Sequence, residues 1–426
     1  MPDSHPQLTT LSNGVRLFVE PLPHLRSVAM GVWVAAGALD ERPEENGAAH
    51  LLEHMAFKGT ARRSAKAIAE EIEAIGGHIN AATSYPYTGY YARFLAGDEA
   101  RVMDVLSDII LNAALNPDEL SREQEVVIQE IGEAADTPDD VLYEHLQSLT
   151  YTDQSLGRPI LGTPETVRNQ SQASLRAFIA RHYTPKNTVI AVSGCVDPGL
   201  IIDLAEHAFG AMPTAPNGVS ADSSASARKS VLTFGRRHDD RPLEQTHIAV
   251  ALPGAGVRDP SYYGTRLLAE VLGGGMSSRL FQEVREERGY AYSVYAYADA
   301  YDDIGTLGFY LGVDEKDAAD ALRLSLAQLE ALATETTASE LERARAMLRS
   351  SLLMGLESPM VRIERAAVQT LTFGAPVPIE KSLDELAAVS CEDVKDTAAR
   401  VLAAGARSLA VVGPASFDRL SDILTP

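Results

Sequence analysis

Apolar positions along this chain recur with two periods. Short β-branched or alternating runs such as "LSNGVRLFV" (11–19), "SVAMGVWVAAG" (27–37), "NTVIAVSG" (187–194), "THIAVALPG" (246–254) and "RSLAVVG" (407–413) read as strands. The pair Asn13-Gly14 inside the first run is a hairpin-turn signal, because both central positions of such a turn favour a positive φ. Longer stretches at about 44–57, 64–76, 98–114 and 118–135 place apolar residues three and four apart and fill the opposite face with Asp, Glu, Lys and Arg, which predicts amphipathic helices. Strands arriving both as hairpins and between helices predict an α+β fold: a mixed, mainly antiparallel sheet with helices packed on one face.

The pattern occurs twice. "GALDERPEENGAAHLLEHM" (37–55) aligns with "GAGVRDPSYYGTRLLAEVL" (254–272) at an offset of 217, matching Gly37 to Gly254, Gly47 to Gly264 and Glu53 to Glu270. Further along, "DELSREQEVVIQEIGEAADTP" (118–138) aligns with "SELERARAMLRSSLLMGLESP" (339–359) at an offset of 221. Two homologous α/β halves are therefore expected, residues 1–212 and 231–426. They are joined by a linker, 213–230, whose Ser, Ala, Pro and Gly content suits an exposed connection. The copies differ in one informative place: where the first half has His50 and His54, the second has Leu267 and Val271. The helix can therefore fold without histidine, and the histidines need a reason other than packing.

Charge narrows the partners. A net charge of -22 over 426 residues repels nucleic-acid backbones and anionic membranes, so neither is expected as a partner. Cationic peptides are favoured instead. The two cysteines, Cys195 and Cys391, give neither a disulfide framework nor a zinc ribbon, so any metal must rely on His and carboxylate. The opening "MPDSHPQLTTLSNGVRLFVE" has no basic region followed by an apolar one, and no uncharged run approaches a membrane span, so a cytoplasmic location is expected.

"AAHLLEHMAF" (48–57) carries the chemistry. On a helix, His50 and His54 share a face and can direct ring nitrogens at one ion, while Glu53 borders that face. This His-x-x-Glu-His order is an inverted form of the zinc-peptidase signature, with the glutamate able to take a proton from water. A catalytic zinc needs a third protein ligand. "REQEVVIQEIGE" (122–133) offers Glu123, Glu125, Glu130 and Glu133 on one predicted helix, and Glu123 and Glu130, two turns apart, share a face. Glu130 is the expected third ligand, with Glu123 supporting an imidazole behind it.

"HLLEHMAFKGT", a glutamate 76 positions after His54 with another seven before it, "IGGHINAATS" and "GGGMSSRLFQEVREERGYAYSV" together resemble the pitrilysin, insulinase and mitochondrial processing peptidase family of zinc metallopeptidases. The similarity runs over nearly the whole chain, and the length resembles the short members that work as dimers. It implies one Zn²⁺ per chain held by His50, His54 and Glu130, with Glu53 as general base. Asn80 matches the family's substrate-contacting asparagine at an edge strand, with Ala81 beside it, and an extended peptide would add to that edge by main-chain hydrogen bonds. Ala82 departs from the aromatic residue usual two positions after that asparagine. In the second half, Arg285 and Tyr292 fit the pair that holds substrate and stabilises the oxyanion. Because the chain carries both sets, the resemblance implies a homodimer with composite sites, a heterodimer with a related subunit being the other arrangement known in the family. Asp140 and Glu144 correspond to positions where processing peptidases recognise arginine. The resulting expectation is a zinc endopeptidase acting on peptides or small unfolded polypeptides. Its rival is a non-catalytic partner subunit, which a damaged ligand set would mark.

Overall fold

The computed structural model describes residues 5–214 and 230–424, so residues 215–229, most of the expected linker, lie outside the described residues. Six strands, β1 (Gln7–Thr10), β2 (Arg16–Pro21), β3 (Ser27–Val34), β4 (His78–Thr83), β5 (Thr88–Leu95) and β6 (Thr188–Gly194), form one sheet in the order β1-β2-β6-β3-β5-β4. Five more, β7 (Arg236–Asp239), β8 (Thr246–Gly254), β9 (Ala291–Ala300), β10 (Gly305–Val313) and β11 (Ser408–Val412), form a second in the order β7-β11-β8-β10-β9. Each sheet contains one parallel pair, β2 with β6 and β7 with β11, and is otherwise antiparallel. The mixed α/β architecture agrees with the sequence pattern. The hairpin at Asn13-Gly14 forms, with Gly14 at φ +100°.

The predicted helices appear as α1 (Ala48–Ala56), α2 (Ala65–Glu73), α3 (Glu99–Leu111) and α4 (Pro117–Asp136). The first starts later than its apolar pattern suggested. Pro43–Glu45 makes a separate 3-10 turn, and Gly47, at φ +89°, breaks the path into α1.

Two compact units emerge, and neither is continuous in sequence. The first gathers Met1–Ile131, Pro159–Arg228 and Leu353–Val377; the second gathers Gly132–Arg158, Lys229–Leu352 and Pro378–Pro426. In the first unit, Val28, Met30, Val32 and Val34 of β3 point into a core shared with Leu51, Leu52 and Met55 of α1 and Val102, Leu106 and Ile109 of α3. The alternate residues Ala29 and Trp33 face the other way, onto Ile363, Ala366 and Ala367 of the helix Pro359–Phe373. A helix thus covers the second face of the sheet as well. That double burial explains why β3 and β6 read as nearly unbroken apolar runs.

The second unit repeats the arrangement with the helix Pro138–Thr150, whose Val141, Leu142 and Leu146 pack on Ala249, Ala251, Ala410 and Val412. These two covering helices begin at Pro138 and Pro359, equivalent positions at the repeat offset of 221. Each comes from the half of the sequence that does not supply the strands it covers. Among the described residues, no helix is long and apolar enough to cross a membrane.

Gly47 sets where α1 begins. A Cβ there would sit 2.8 Å from the Leu161 carbonyl oxygen, and a positive φ is strained for any L side chain. Gly47→Ala is expected to destabilise the protein by about 1–3 kcal/mol, read as a lower urea midpoint at unchanged slope.

Candidate metal centre

Helix α1 buries Ala48, Ala49, Leu51, Leu52, Met55 and Ala56 and leaves His50, Glu53 and His54 half-buried on its remaining face. Its N-terminus is held by Glu41, a buried residue outside the helix. One Glu41 oxygen accepts the Gly47 N–H at 3.0 Å and the Asn46 side-chain amide at 3.1 Å, and the other accepts the Ala49 N–H at 2.8 Å. These bonds satisfy amides that a helix start leaves free, and they place negative charge where the helix dipole favours it. In α4, Leu120, Glu123 and Val127 are buried, and Glu130 continues the same stripe to the edge of the core.

The two helices bring three electron-pair donors together. His50 Nε2 lies 3.8 Å and His54 Nε2 3.5 Å from one oxygen of Glu130, and the donor atoms of the three residues all fall within 4.8 Å of one another. Donors about 2.0–2.1 Å from a tetrahedral zinc lie about 3.3 Å apart, so the spacing fits after minor contraction. Burial, with His54 beside it, pushes the His50 imidazole down to about 4, so it is neutral and ligand-competent at neutral pH. Two imidazole nitrogens and a carboxylate oxygen thus converge on one small volume. Such a nitrogen and oxygen donor set suits a divalent cation of the zinc type.

His54 is oriented from behind. Its Nδ1 lies 3.2 Å from Glu123 Oε2, a contact in which the ring N–H donates to the carboxylate and Nε2 is turned towards Glu130. Lys58 Nζ, 2.6 Å from Glu123 Oε1, balances the charge of that buried carboxylate. Glu53 lies on the same face of α1, where the Thr83 hydroxyl donates to its Oε2 at 2.6 Å. Burial raises the Glu53 carboxyl above the usual range, against the lowering effect of Thr83 and His54.

The other expected residues fall as follows. Asn80 is exposed on β4, the edge strand, and its side-chain oxygen accepts the Ala81 N–H at 2.9 Å. Ala81 turns its side chain into the core, leaving only its backbone to meet a peptide, while Ala82 is exposed. In the second unit, Arg285 sits in a π-helical turn, Phe281–Glu287, with its guanidinium 4.6 Å from the Phe281 ring centre and 5.2 Å from that of Tyr292. Tyr292 is 76% exposed, so its hydroxyl can meet a ligand. Asp140 and Glu144 are exposed on the helix Pro138–Thr150, with the Glu144 carboxyl raised by partial burial and by Asp140, and lowered in turn by Arg237.

Comparison with known proteins follows the same division. Residues 17–164 match the family described as insulinase, peptidase family M16, and residues 170–348 match the M16 inactive domain. An uncharacterized zinc protease of Bacillus subtilis is 38% identical over 409 residues, covering 95% of this chain and 97% of that protein. Another, of Streptomyces coelicolor, is 36% identical over 417 residues, covering 95% and 89%. The chain belongs to the M16 peptidase family. A solved M16 inactive-domain structure from Pseudomonas fluorescens shares the fold, with a TM-score of 0.88 at 21% identity, covering 97% of this chain and 99% of that one. As an M16 chain the protein is of the zinc-metallopeptidase type, and the His50, His54 and Glu130 cluster suits zinc.

Three residues that hold the helix and side chains of this centre escaped the sequence reading: Glu41, Lys58 and Thr83. Glu41 lies outside the predicted helix, and Thr83 reaches Glu53 across 30 positions. Lys58, four residues after His54, shares its face and offered the only local signal. Replacing Glu123 with Ala is expected to lower zinc affinity about 10–100-fold, measured by competition with a chromophoric chelator.

Proposed function

We propose that the protein is a zinc endopeptidase for peptides and short unfolded polypeptides, with Glu53 as its general base. The observation that carries this reading is the position of Glu53, one residue from His54 on the donor-bearing face of α1, with its carboxyl held by Thr83 and raised by burial. Zinc, when bound by His50, His54 and Glu130, supplies Lewis acidity that polarises the scissile carbonyl and makes water easier to deprotonate. Glu53 accepts the proton from the attacking water and returns it to the leaving amine. The raised carboxyl pKa makes Glu53 a stronger base towards that water.

An extended peptide adds to the free edge of β4, with Asn80 and the Ala81 backbone as its partners. Main-chain pairing of this kind tolerates varied sequences. Tyr292 and Arg285 donate hydrogen bonds to the oxygen that becomes negative during attack, and Phe281 helps hold the guanidinium before substrate arrives. Those two residues act in trans in a homodimer with two composite sites. The net charge of -22 and the exposed Asp140 and Glu144 favour basic segments of substrate.

Glu53→Gln keeps the length and the Thr83 contact but removes the base. Peptide-library hydrolysis is expected to fall about 10²–10⁴-fold while zinc content measured by atomic absorption stays at one per chain. Full activity in that variant rules out the assigned base. Wild-type protein that binds zinc yet cleaves nothing in the library belongs with non-catalytic partner subunits instead. Mixing Glu53→Gln chains with Tyr292→Phe chains is expected to restore activity, because one composite site in the mixed dimer is intact. No restoration after proven subunit exchange places both residue sets in one chain.

A further inference from the structure

We propose that Thr83 is a positioning residue for the base, a role that rests on the assignment of Glu53 above. A glutamate on a helix has three rotatable side-chain bonds, and a base that must meet a water held at one point cannot wander among their rotamers. Among the described residues, Thr83 is the one side chain whose hydrogen bond holds the Glu53 carboxylate. Its hydroxyl donates to Oε2 at 2.6 Å, the short range of a charge-assisted O–H···O⁻ bond, and so orients Oε1 for proton transfer.

The anchor is rigid on both sides. Thr83 ends β4 on the inward face shared with Ile79 and Ala81, opposite the exposed His78, Asn80 and Ala82. The chain immediately after it is fixed to the segment before α1: Ser84 O accepts the Ala38 N–H at 3.1 Å and Tyr85 O the Leu39 N–H at 2.9 Å. No side chain fits between these strands, since a Cβ on Gly37 would lie 2.2 Å from Ser84 O. Two residues past Leu39, Glu41 caps α1. The end of β4 and the start of the helix carrying Glu53 are thus tied to one short stretch of chain. A peptide joining the free edge of β4 lies on the same strand that holds the base, which links substrate seating to base alignment.

Thr83→Val removes the hydroxyl at nearly constant volume and branching, whereas Thr83→Ser keeps the hydroxyl and removes the methyl. Losing a hydrogen bond to a charged group corresponds to about a 10–100-fold loss. The expected result is that Thr83→Val lowers kcat on a fluorogenic peptide by that factor with KM, zinc affinity and melting temperature within twofold or a few degrees of wild type. Thr83→Ser should recover most of the rate. Wild-type kcat in Thr83→Val overturns the proposal, as does a loss shared equally by the serine variant, or one explained by weaker zinc binding in chelator competition. Glu53→Gln measured alongside separates the two claims. If that variant is inactive while Thr83→Val is fully active, the positioning role alone fails; if Glu53→Gln is active, the base assignment and the role of Thr83 fail together.

Discussion

The site depends on holding three metal-binding side chains close together before any cation arrives. Ring nitrogens of two imidazoles and a carboxylate oxygen lie within 4.8 Å of one another, and their convergence is imposed from outside the cluster. Packing imposes it. Leu51, Leu52 and Met55 of α1 and Leu120 and Val127 of α4 enter the same core as the inward face of β3, so neither helix can roll to separate the donors without exposing apolar surface. Glu41 holds the start of α1, and Glu123 with Lys58 fixes one ring from behind. The metal-binding geometry is therefore a by-product of hydrophobic burial, with a few buried charges setting its final alignment.

Duplication explains why one half could specialise. The second copy keeps Glu270 at the place of Glu53 but has Leu267 and Val271 where the first has histidines, and both are buried in its core. At those two positions the helix in that half packs apolar side chains instead. In the same unit, a π-helical turn presents Arg285 beside Tyr292. Irregular helical turns of this kind commonly mark places where a side chain must leave the regular face of a helix.

The sequence made the site legible where spacing within one helix suffices. His50, Glu53 and His54 declare themselves by their offsets, and Glu123 and Glu130 by theirs, because helical periodicity converts sequence distance into a shared face. What stayed hidden depends on contacts between elements. Nothing local in "NAATS" says that the Thr83 hydroxyl meets a glutamate on another element, and nothing around Glu41 marks it as a cap, since capping signatures look to the residue at the helix start. The early start expected for the first helix failed because Gly47 adopts a positive φ, which an apolar pattern does not reveal. Nothing local in the run holding Val141, Leu142 and Leu146 says that these residues cover strands from the other half of the sequence.

That exchange of covering helices bears on how the chain matures during synthesis. The outer face of β3, with Trp33 at its centre, is closed by Ile363, Ala366 and Ala367, more than 300 positions downstream. A ribosome that has finished the strands of the first unit has not yet made the helix that shields them. Until it does, the face carrying Phe18, Trp33 and Val189 lacks the helix that covers it in the finished fold, so closing the zinc-bearing unit waits on a segment made late in translation.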